Sequence, residues 1–382
     1  MPAPIGPTLL CVMLLASAWR PVAAQGGGAT TPWRVSGSYV NILSRSRTVV
    51  PPEGDFTFDL NRLRLRLEGE PVERISVDVQ NDLEVLLGSY VRTAQYALFE
   101  DRGRRELDHE YASRDVVVRH RLYRATASWS GSIADITIGR QRVPLGTGQF
   151  WSALDLLNPI DPTRLERDYR AGVDGVLVAG RLGALARLDA VYAPATDRSS
   201  HAAAGYLHWN LGGWDYSVLA GTFRGDDAVG ADFAGAIGGL GIRGEGALTR
   251  PGSGPTYGRA LIGADYGFQN TLTLTIELYF NGQGRHDPAR YDFAAVLAGR
   301  TISLARYYGA VAMSYQLTPL ARPAVYAVWN IDDGSGVVWP RLEYSAAEDL
   351  EVSAGIQGFL GSPESEFGRL RSLLHGEARW FF

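Results

Sequence analysis

Arg62, Arg64 and Arg66 occupy alternate positions and are separated by Leu63, Leu65 and Leu67. Successive side chains of an extended chain point to opposite faces, so this spacing stacks three guanidinium groups on one side of a strand. A guanidinium is permanently charged and binds carboxylate or phosphate through parallel hydrogen bonds, which makes such a row a surface for anions. Asp78, Asp82 and Glu84 lie on the polar face of a second alternating segment, whose other face carries Ile75, Val77, Val79, Leu83 and Val85. Glu277 holds the same position in a third, among Leu272, Leu274, Ile276, Leu278 and Phe280. A further group, Asp155, Asp161, Arg164, Glu166, Arg167 and Arg170, is concentrated in segment 144–172, where Pro144, Pro159 and Pro162 restrict the backbone. Arg124, Arg187, Arg341 and Arg379 extend the basic set, and Glu343, Glu351 and Glu377 the acidic one.

Other chemistry is poorly represented. His109, His120, His201, His208, His286 and His375 are scattered without zinc-ligand spacing. There is no G-x-S-x-G elbow and no P-loop, and Gly146-Thr147-Gly148 is too short for a nucleotide fingerprint. His208 and Ser217, on facing strands of a hairpin, come nearest to a base and nucleophile. Asp226-Asp227 and Asp332-Asp333 could offer oxygen ligands to Ca²⁺, although acidic pairs in loops are usually only solvated. The candidate site therefore contains charged lining residues, no catalytic or metal-binding residue, and implies no cofactor or enzymatic activity.

The elements that would position these charges are strands. Period-2 alternation recurs along the chain, as in Leu350, Val352, Ala354 and Ile356 against Glu351, Ser353, Gly355 and Gln357. Eighteen candidate strands begin near residues 33, 56, 72, 118, 132, 173, 184, 202, 214, 228, 240, 258, 270, 307, 321, 335, 348 and 373. The Gly-rich run 235–246 alternates weakly, so the expected count is 16–18. Connections after even-numbered strands are tight, such as Gly212-Gly213, whereas those at 87–117, 144–172, 282–306 and 360–372 are long. A sandwich has no reason to keep that parity. An antiparallel up-and-down β-barrel, with short turns on one rim and long loops on the other, requires it. Within strand 2, Phe56, Phe58 and Leu60 fall on even positions and Leu63 to Leu67 on odd ones. A bulge, or a first part rising above the membrane, is the expectation there.

Composition agrees. The 382 residues include 45 Gly, 18 Tyr, 13 Phe and 9 Trp but only 3 Met. The hydrophobic fraction is 46% and the mean hydropathy −0.08, the balance expected when every second residue faces water. A net charge of −4 argues for no nucleic-acid partner, and all 37 basic residues are Arg. Trp33, Trp129, Trp209, Trp214, Tyr192 and Phe268, near strand ends, fit interfacial girdles. The apolar run Thr8–Ala18 is too short to cross a bilayer as a helix. Val22-Ala23-Ala24 supplies small residues for cleavage, so residues 1–24 read as a signal peptide and 25–382 as the mature barrel. The one cysteine, Cys11, falls inside that leader.

The last strand places Leu374, Gly376, Ala378, Trp380 and Phe382 on one face and His375, Glu377 and Arg379 on the other. In this it resembles bacterial outer-membrane barrels, whose amphipathic final strand ends in an aromatic residue that the assembly machinery reads. By its topology, segment 144–172 resembles the third extracellular loop of general bacterial porins, which folds inward and narrows the pore. The stretch GRQRVPLGTGQFW (Gly139–Trp151) followed by NPIDP (Asn158–Pro162) bears a weaker resemblance to alginate-export-type barrels. The porin resemblance implies a bacterial outer-membrane location among lipid and lipopolysaccharide, with both termini periplasmic. It also implies a lumen lined by Arg62, Arg64, Arg66, Asp78, Asp82, Glu84 and Glu277, narrowed by the charged loop. Opposed luminal charges orient polar solutes and set ion selectivity. The implied function is a channel for passive diffusion of small polar or anionic solutes. The alternative is an exporter of an anionic polysaccharide that slides along the Arg row.

Overall fold

The computed structural model describes residues 33–99, 107–166, 169–170, 172–195, 201–297 and 301–382. The leader assigned to residues 1–24 and the site candidate Arg167 lie outside the described residues.

The alternating segments become strands: β1 (Trp33–Arg47), β2 (Asp55–Val72), β3 (Ile75–Leu87), β4 (His109–Ala112), β5 (Val116–Ser130), β6 (Ala134–Gln141), β7 (Val173–Arg181), β8 (Ala186–Ala193), β9 (Ala202–Leu211) and β10 (Trp214–Phe223). They continue as β11 (Asp226–Ile237), β12 (Leu240–Arg250), β13 (Tyr257–Gly267), β14 (Thr273–Asn281), β15 (Tyr307–Ser314), β16 (Ala321–Asn330), β17 (Gly336–Ala347), β18 (Leu350–Leu360) and β19 (Leu373–Phe381). All belong to one sheet. The short β4 rides on β5, and the other eighteen strands form a closed antiparallel barrel. Closure is made by β1 on β19, from Ser38 opposite Phe381 to Arg45 opposite Leu374. It leaves the wall without a free edge. No helix among the described residues is long and apolar enough to cross a membrane.

The Gly-rich run that alternated weakly is a full hairpin. Residues Asp227–Ile237 pair with Leu240–Arg250 without a break, around Gly238 and Gly239 with φ of 56° and 86°. Two central residues at positive φ give the turn whose twist matches flanking strands, and glycine reaches that region without a Cβ clash. This hairpin fixes the count at eighteen.

Parity sorts the faces. Leu65, Leu67, Leu83, Val229, Leu248, Ile276 and Leu278 point outward and are exposed, whereas Arg62, Asp82, Glu84, Glu245 and Glu277 point inward and are buried. Trp33, Trp129, Tyr192 and Phe268 are exposed at strand ends. The expected bulge in β2 is absent between Asp55 and Gly69, since that stretch pairs with β1 in unbroken register. Phe56, Phe58 and Leu60 therefore share the inward face of Arg62. Leu60 and Phe58 pack with Leu86, Tyr96 and Val117 beneath the first long loop, and the Phe56 ring centroid lies 4.6 Å from that of Tyr90. Apolar residues on the luminal side look out of phase only if the lumen is taken to be wet along its whole height.

The connection between β6 and β7 turns into the barrel. Val143, Leu145, Ala153, Leu154 and Leu157 pack against Val191, Ala204, Tyr206, Leu219 and Ala247 of the wall. Phe150 and Trp151 join a second cluster with Leu261, Tyr279 and Tyr308, to which the later long loops add Tyr291, Leu304 and Phe367. Three apolar clusters thus fill the end of the barrel nearer the long loops.

Candidate functional site

Toward the short turns the barrel keeps an internal cavity of 1110 Å³. Its ceiling is the infolded loop, through Gly148, Gln149, Phe150, Leu165, Glu166, Tyr169 and Arg170. Arg62, Arg64 and Tyr123 stand beside that ceiling, and Arg322, Arg341, Glu343, Glu351, Glu377 and Arg379 line the cavity elsewhere.

The loop is held by two wall carboxylates. Glu245 on β12 accepts hydrogen bonds from the backbone N–H groups of Thr147, Gly148 (2.5 Å), Ala153 (2.7 Å) and Leu154 (3.3 Å), and from the Ser152 hydroxyl (2.8 Å). Glu277 on β14 accepts from the N–H groups of Gln149 (2.6 Å), Phe150 (2.8 Å) and Trp151 (3.4 Å), and from Arg243 Nε (3.1 Å). Successive backbone N–H groups curled round an anion form a nest, here with an anion fixed to the protein. Gly146 and Gly148 explain why this loop can curl. Gly146 has a φ of 83°, and a Cβ on Gly148 would overlap the Trp151 carbonyl oxygen.

The rest of the loop crosses to other strands. Gln357 on β18 donates to the Thr163 carbonyl at 2.7 Å. Arg62 on β2 donates to both oxygens of Glu166, at 2.5 and 3.0 Å. Arg124 on β5 donates to the Arg170 carbonyl at 2.8 Å.

The Arg row is neutralised by the strand beside it. Register places Arg62 opposite Glu84 and Arg64 opposite Asp82. Arg62 Nε donates to Glu84 at 2.8 Å, Arg64 grips Asp82 at 2.6 and 2.7 Å, and Arg66 grips Asp78 at 3.0 Å through each of two nitrogens. Two tyrosines cover the pairs made by Arg62 and Arg64. The Arg64 guanidinium lies 3.4 Å from the Tyr123 ring centroid and the Arg62 guanidinium 4.2 Å from that of Tyr169, an arrangement in which the ring quadrupole favours the cation. Burial pushes the Tyr169 hydroxyl up to about 12, so it stays neutral at physiological pH.

Of the residues singled out by sequence, Arg62, Arg64, Glu166 and Arg170 meet at the cavity. Asp82 and Glu84 stand behind the arginines, almost without exposure, and Arg66 with Asp78 forms a separate half-open pair. Glu277, expected to face water, has no exposure and is spent on the loop backbone. Asp155 is likewise buried, accepting the Asn158 N–H at 2.8 Å. Burial pushes its carboxyl up to about 7, against the opposing pull of the Asn158 hydrogen bond, Arg170 and Arg142. Asp161 caps the Thr163 N–H at 3.0 Å and holds Arg164 at 3.8 Å, both within the loop. His208 Nδ1 and Ser217 Oγ are 3.1 Å apart, but they belong to the inner wall beside Tyr206, which receives the Gly146 N–H at 3.0 Å. This pair sits in the buttress of the loop, not at a lipid boundary.

Sequence reasoning missed Glu245 and Tyr123. Glu245 is a lone carboxylate between Gly244 and Gly246, where glycine obscured the alternation. Tyr123 is the extra residue of a bulge: Gln80 pairs with Arg124 and the next residue, Asn81, with Leu122. The bulge turns Tyr123 inward beside Arg124, a reversal that no periodic reading anticipates.

A closed eighteen-stranded antiparallel barrel with a charged interior and an infolded third loop defines a porin-type β-barrel. No family model matches the chain, and no curated protein matches it. Among solved structures it is similar to OccAB1 of Acinetobacter baumannii, with a TM-score of 0.59 at 10% identity over 94% of this chain and 98% of that one. It is also similar to OccK5 (OpdH) of Pseudomonas aeruginosa, with a TM-score of 0.59 at 10% identity over 93% and 99%. The outer membrane protein opdK of Pseudomonas aeruginosa gives 0.58 at 11% identity over 93% and 100%. At these identities the likeness is one of fold.

Proposed function

We propose that the mature chain is a bacterial outer-membrane channel through which small polar or anionic solutes diffuse passively. The observation that carries this reading is the polar cavity under the infolded loop, where Arg62, Arg64 and Arg170 stand beside Glu166. A barrel of this strand number has an interior wide enough for water unless it is filled, and the apolar filling made by the described residues lies at one end. The outward apolar face suits lipid and, at its rim, lipopolysaccharide. Export through the 1–24 leader, short turns and both termini in the periplasm, and delivery by the assembly machinery through the strand ending at Phe382 complete the proposal. One structural neighbour, opdK, is an outer membrane protein of Pseudomonas aeruginosa, which supports the same location.

In this reading Arg62, Arg64, Glu166 and Arg170 form the constriction, and Asp82 and Glu84 set the orientation of the arginines. The exporter alternative loses its main support, because an electropositive slide needs unpaired cations and Arg62, Arg64 and Arg66 are each held by carboxylates.

Planar-bilayer recording tests the proposal. The purified protein should insert as a channel of stable conductance, and replacing Arg62, Arg64 and Arg66 together by Ala should move the reversal potential toward cation preference. A protein that gives no conductance, or only after an anionic polysaccharide is added, refutes passive diffusion.

A further inference from the structure

Four of the six histidines have a ring nitrogen occupied by a neighbouring side chain. His201 Nδ1 meets the Tyr192 hydroxyl at 2.7 Å, His208 Nδ1 the Ser217 hydroxyl at 3.1 Å and His286 Nδ1 the Asp332 carboxylate at 2.7 Å, while His375 Nε2 accepts from Trp339 Nε1 at 2.6 Å. His109 and His120 are the exceptions. Both are exposed, and among the described residues neither imidazole has a hydrogen bond or an ion pair. They are also each other's neighbours. Register sets His109 on β4 directly opposite His120 on β5, and the two rings are stacked, 6.3 Å apart between centroids with 20° between their planes.

The backbone creates this pair. β4 has four residues, all of them exposed. Glu110, opposite Arg119 in the same ladder, accepts from Arg119 Nε at 2.6 Å, and Arg119 also donates to the Tyr96 hydroxyl at 2.5 Å. Those contacts hold the register from the inward side. Successive residues change sides, so His109 and His120 fall on the outward side with exposed Leu83, the partner of His120 on β3. Directly opposed residues of an antiparallel pair have Cβ atoms about 4.5–5.5 Å apart, close enough for both side chains to reach one point.

We propose that His109 and His120 together bind a divalent transition-metal ion, which staples β4 to the barrel wall. Neutral imidazole is a ligand suited to Zn²⁺, Cu²⁺ and Ni²⁺. A Zn²⁺ ion would sit about 2.0–2.1 Å from one nitrogen of each ring, and rotation of the two exposed side chains brings stacked rings to that arrangement. Among the described residues no group of three or more His, Cys, Asp or Glu side chains gathers for a metal ion, so water completes the shell. The inward side of β4 is already tied to β5 by Glu110 and Arg119, and the ion ties the outward side. The inference goes beyond the channel reading and needs only the ladder between these two strands.

Titration of the purified full chain in detergent with Zn²⁺ tests this. Calorimetry should show one ion per chain. His109→Gln and His120→Gln should each weaken binding at least tenfold, and the double variant should lose little more, because the two ligands share one ion. His286→Gln should leave binding unchanged. Both substituted positions are exposed, and heat-modifiable migration reports that the barrel is intact. Cu²⁺ loaded in place of Zn²⁺ reads the ligands without any substitution: its electron paramagnetic resonance spectrum should show two imidazole nitrogens. Bound Zn²⁺ should slow proteolysis of the first long loop at least fivefold in the native chain and not in His109→Gln. Single variants that bind as the native chain does, or a loss seen only with His286→Gln, mean an adventitious ion only and overturn the proposal. A spectrum with one imidazole, no binding at all, or binding without protection of the loop overturns it as well.

Discussion

Glu277 Oε2 accepts the backbone N–H of Phe150 at 2.8 Å, joining the far wall of the barrel to the middle of a loop that leaves the wall at β6. Together with the Glu245 nest, it makes the loop position a property of the wall. The aperture then depends on two side chains remote in sequence from the segment that narrows it.

Replacing both anchors, Glu245→Gln with Glu277→Gln, should release the loop while preserving the barrel. Each amide keeps one acceptor oxygen, so several loop N–H groups lose a charged partner, at about 1–3 kcal/mol for each buried donor left unsatisfied. Single-channel records should show larger, noisier conductance, and limited proteolysis should cut within 144–172. Unchanged conductance and protection would show that the apolar clusters alone hold the loop.

Arg64→Ala should be more damaging than a surface truncation. It leaves Asp82, which has no exposure, without its two-pronged partner, and breaking a buried pair from one side costs about 3–5 kcal/mol. The midpoint of denaturant unfolding should fall, and the freed carboxylate should add cation preference. Arg64→Lys should recover the charge but only part of the stability, because an ammonium cannot reproduce the fork. Equal stability of both variants would contradict the pairing.

Stability of the loop should fall as pH rises through the window between about 4 and 7. Asp155, held up to about 7 by burial, and Glu366, held up to about 7 in the same way within the loop after β18, keep protons in the folded loops that they lose when those loops open. The folded state therefore binds more protons across that window, and its stability is greatest below it and level above it. Protease protection measured between pH 4 and 8 should show this slope. Asp155→Asn should flatten the part owed to the loop 144–172 while still accepting the Asn158 N–H.

Gly148→Ala should displace the loop although it adds one methyl group. The new Cβ would meet the Trp151 carbonyl oxygen, and the backbone there cannot move without losing the Glu245 and Glu277 hydrogen bonds. A loss of about 1–3 kcal/mol is expected from overpacking of this kind, read as earlier loop proteolysis with an intact barrel. Gly267→Ala, at the end of β13 where nothing lies within 4 Å of an added Cβ, is the control for an added methyl.

The sequence by itself determined the barrel. Alternation, turn chemistry and the parity of loop lengths are local signals, repeated in every hairpin, and closure in lipid follows because no backbone hydrogen bond can be left open there. The row Arg62, Arg64, Arg66 was legible for the same reason, since neighbours two apart share a face. Tertiary structure alone decided what those charges do. The pairing of Arg64 with Asp82 depends on which residues register brings opposite, and the capture of Phe150 by Glu277 on a loop that reaches the far wall only across the closed barrel. The inward turn of Tyr123 depends on one extra residue in β5. Contacts between segments distant in the chain leave no periodic trace, because each partner needs only a charge or a glycine at a single position.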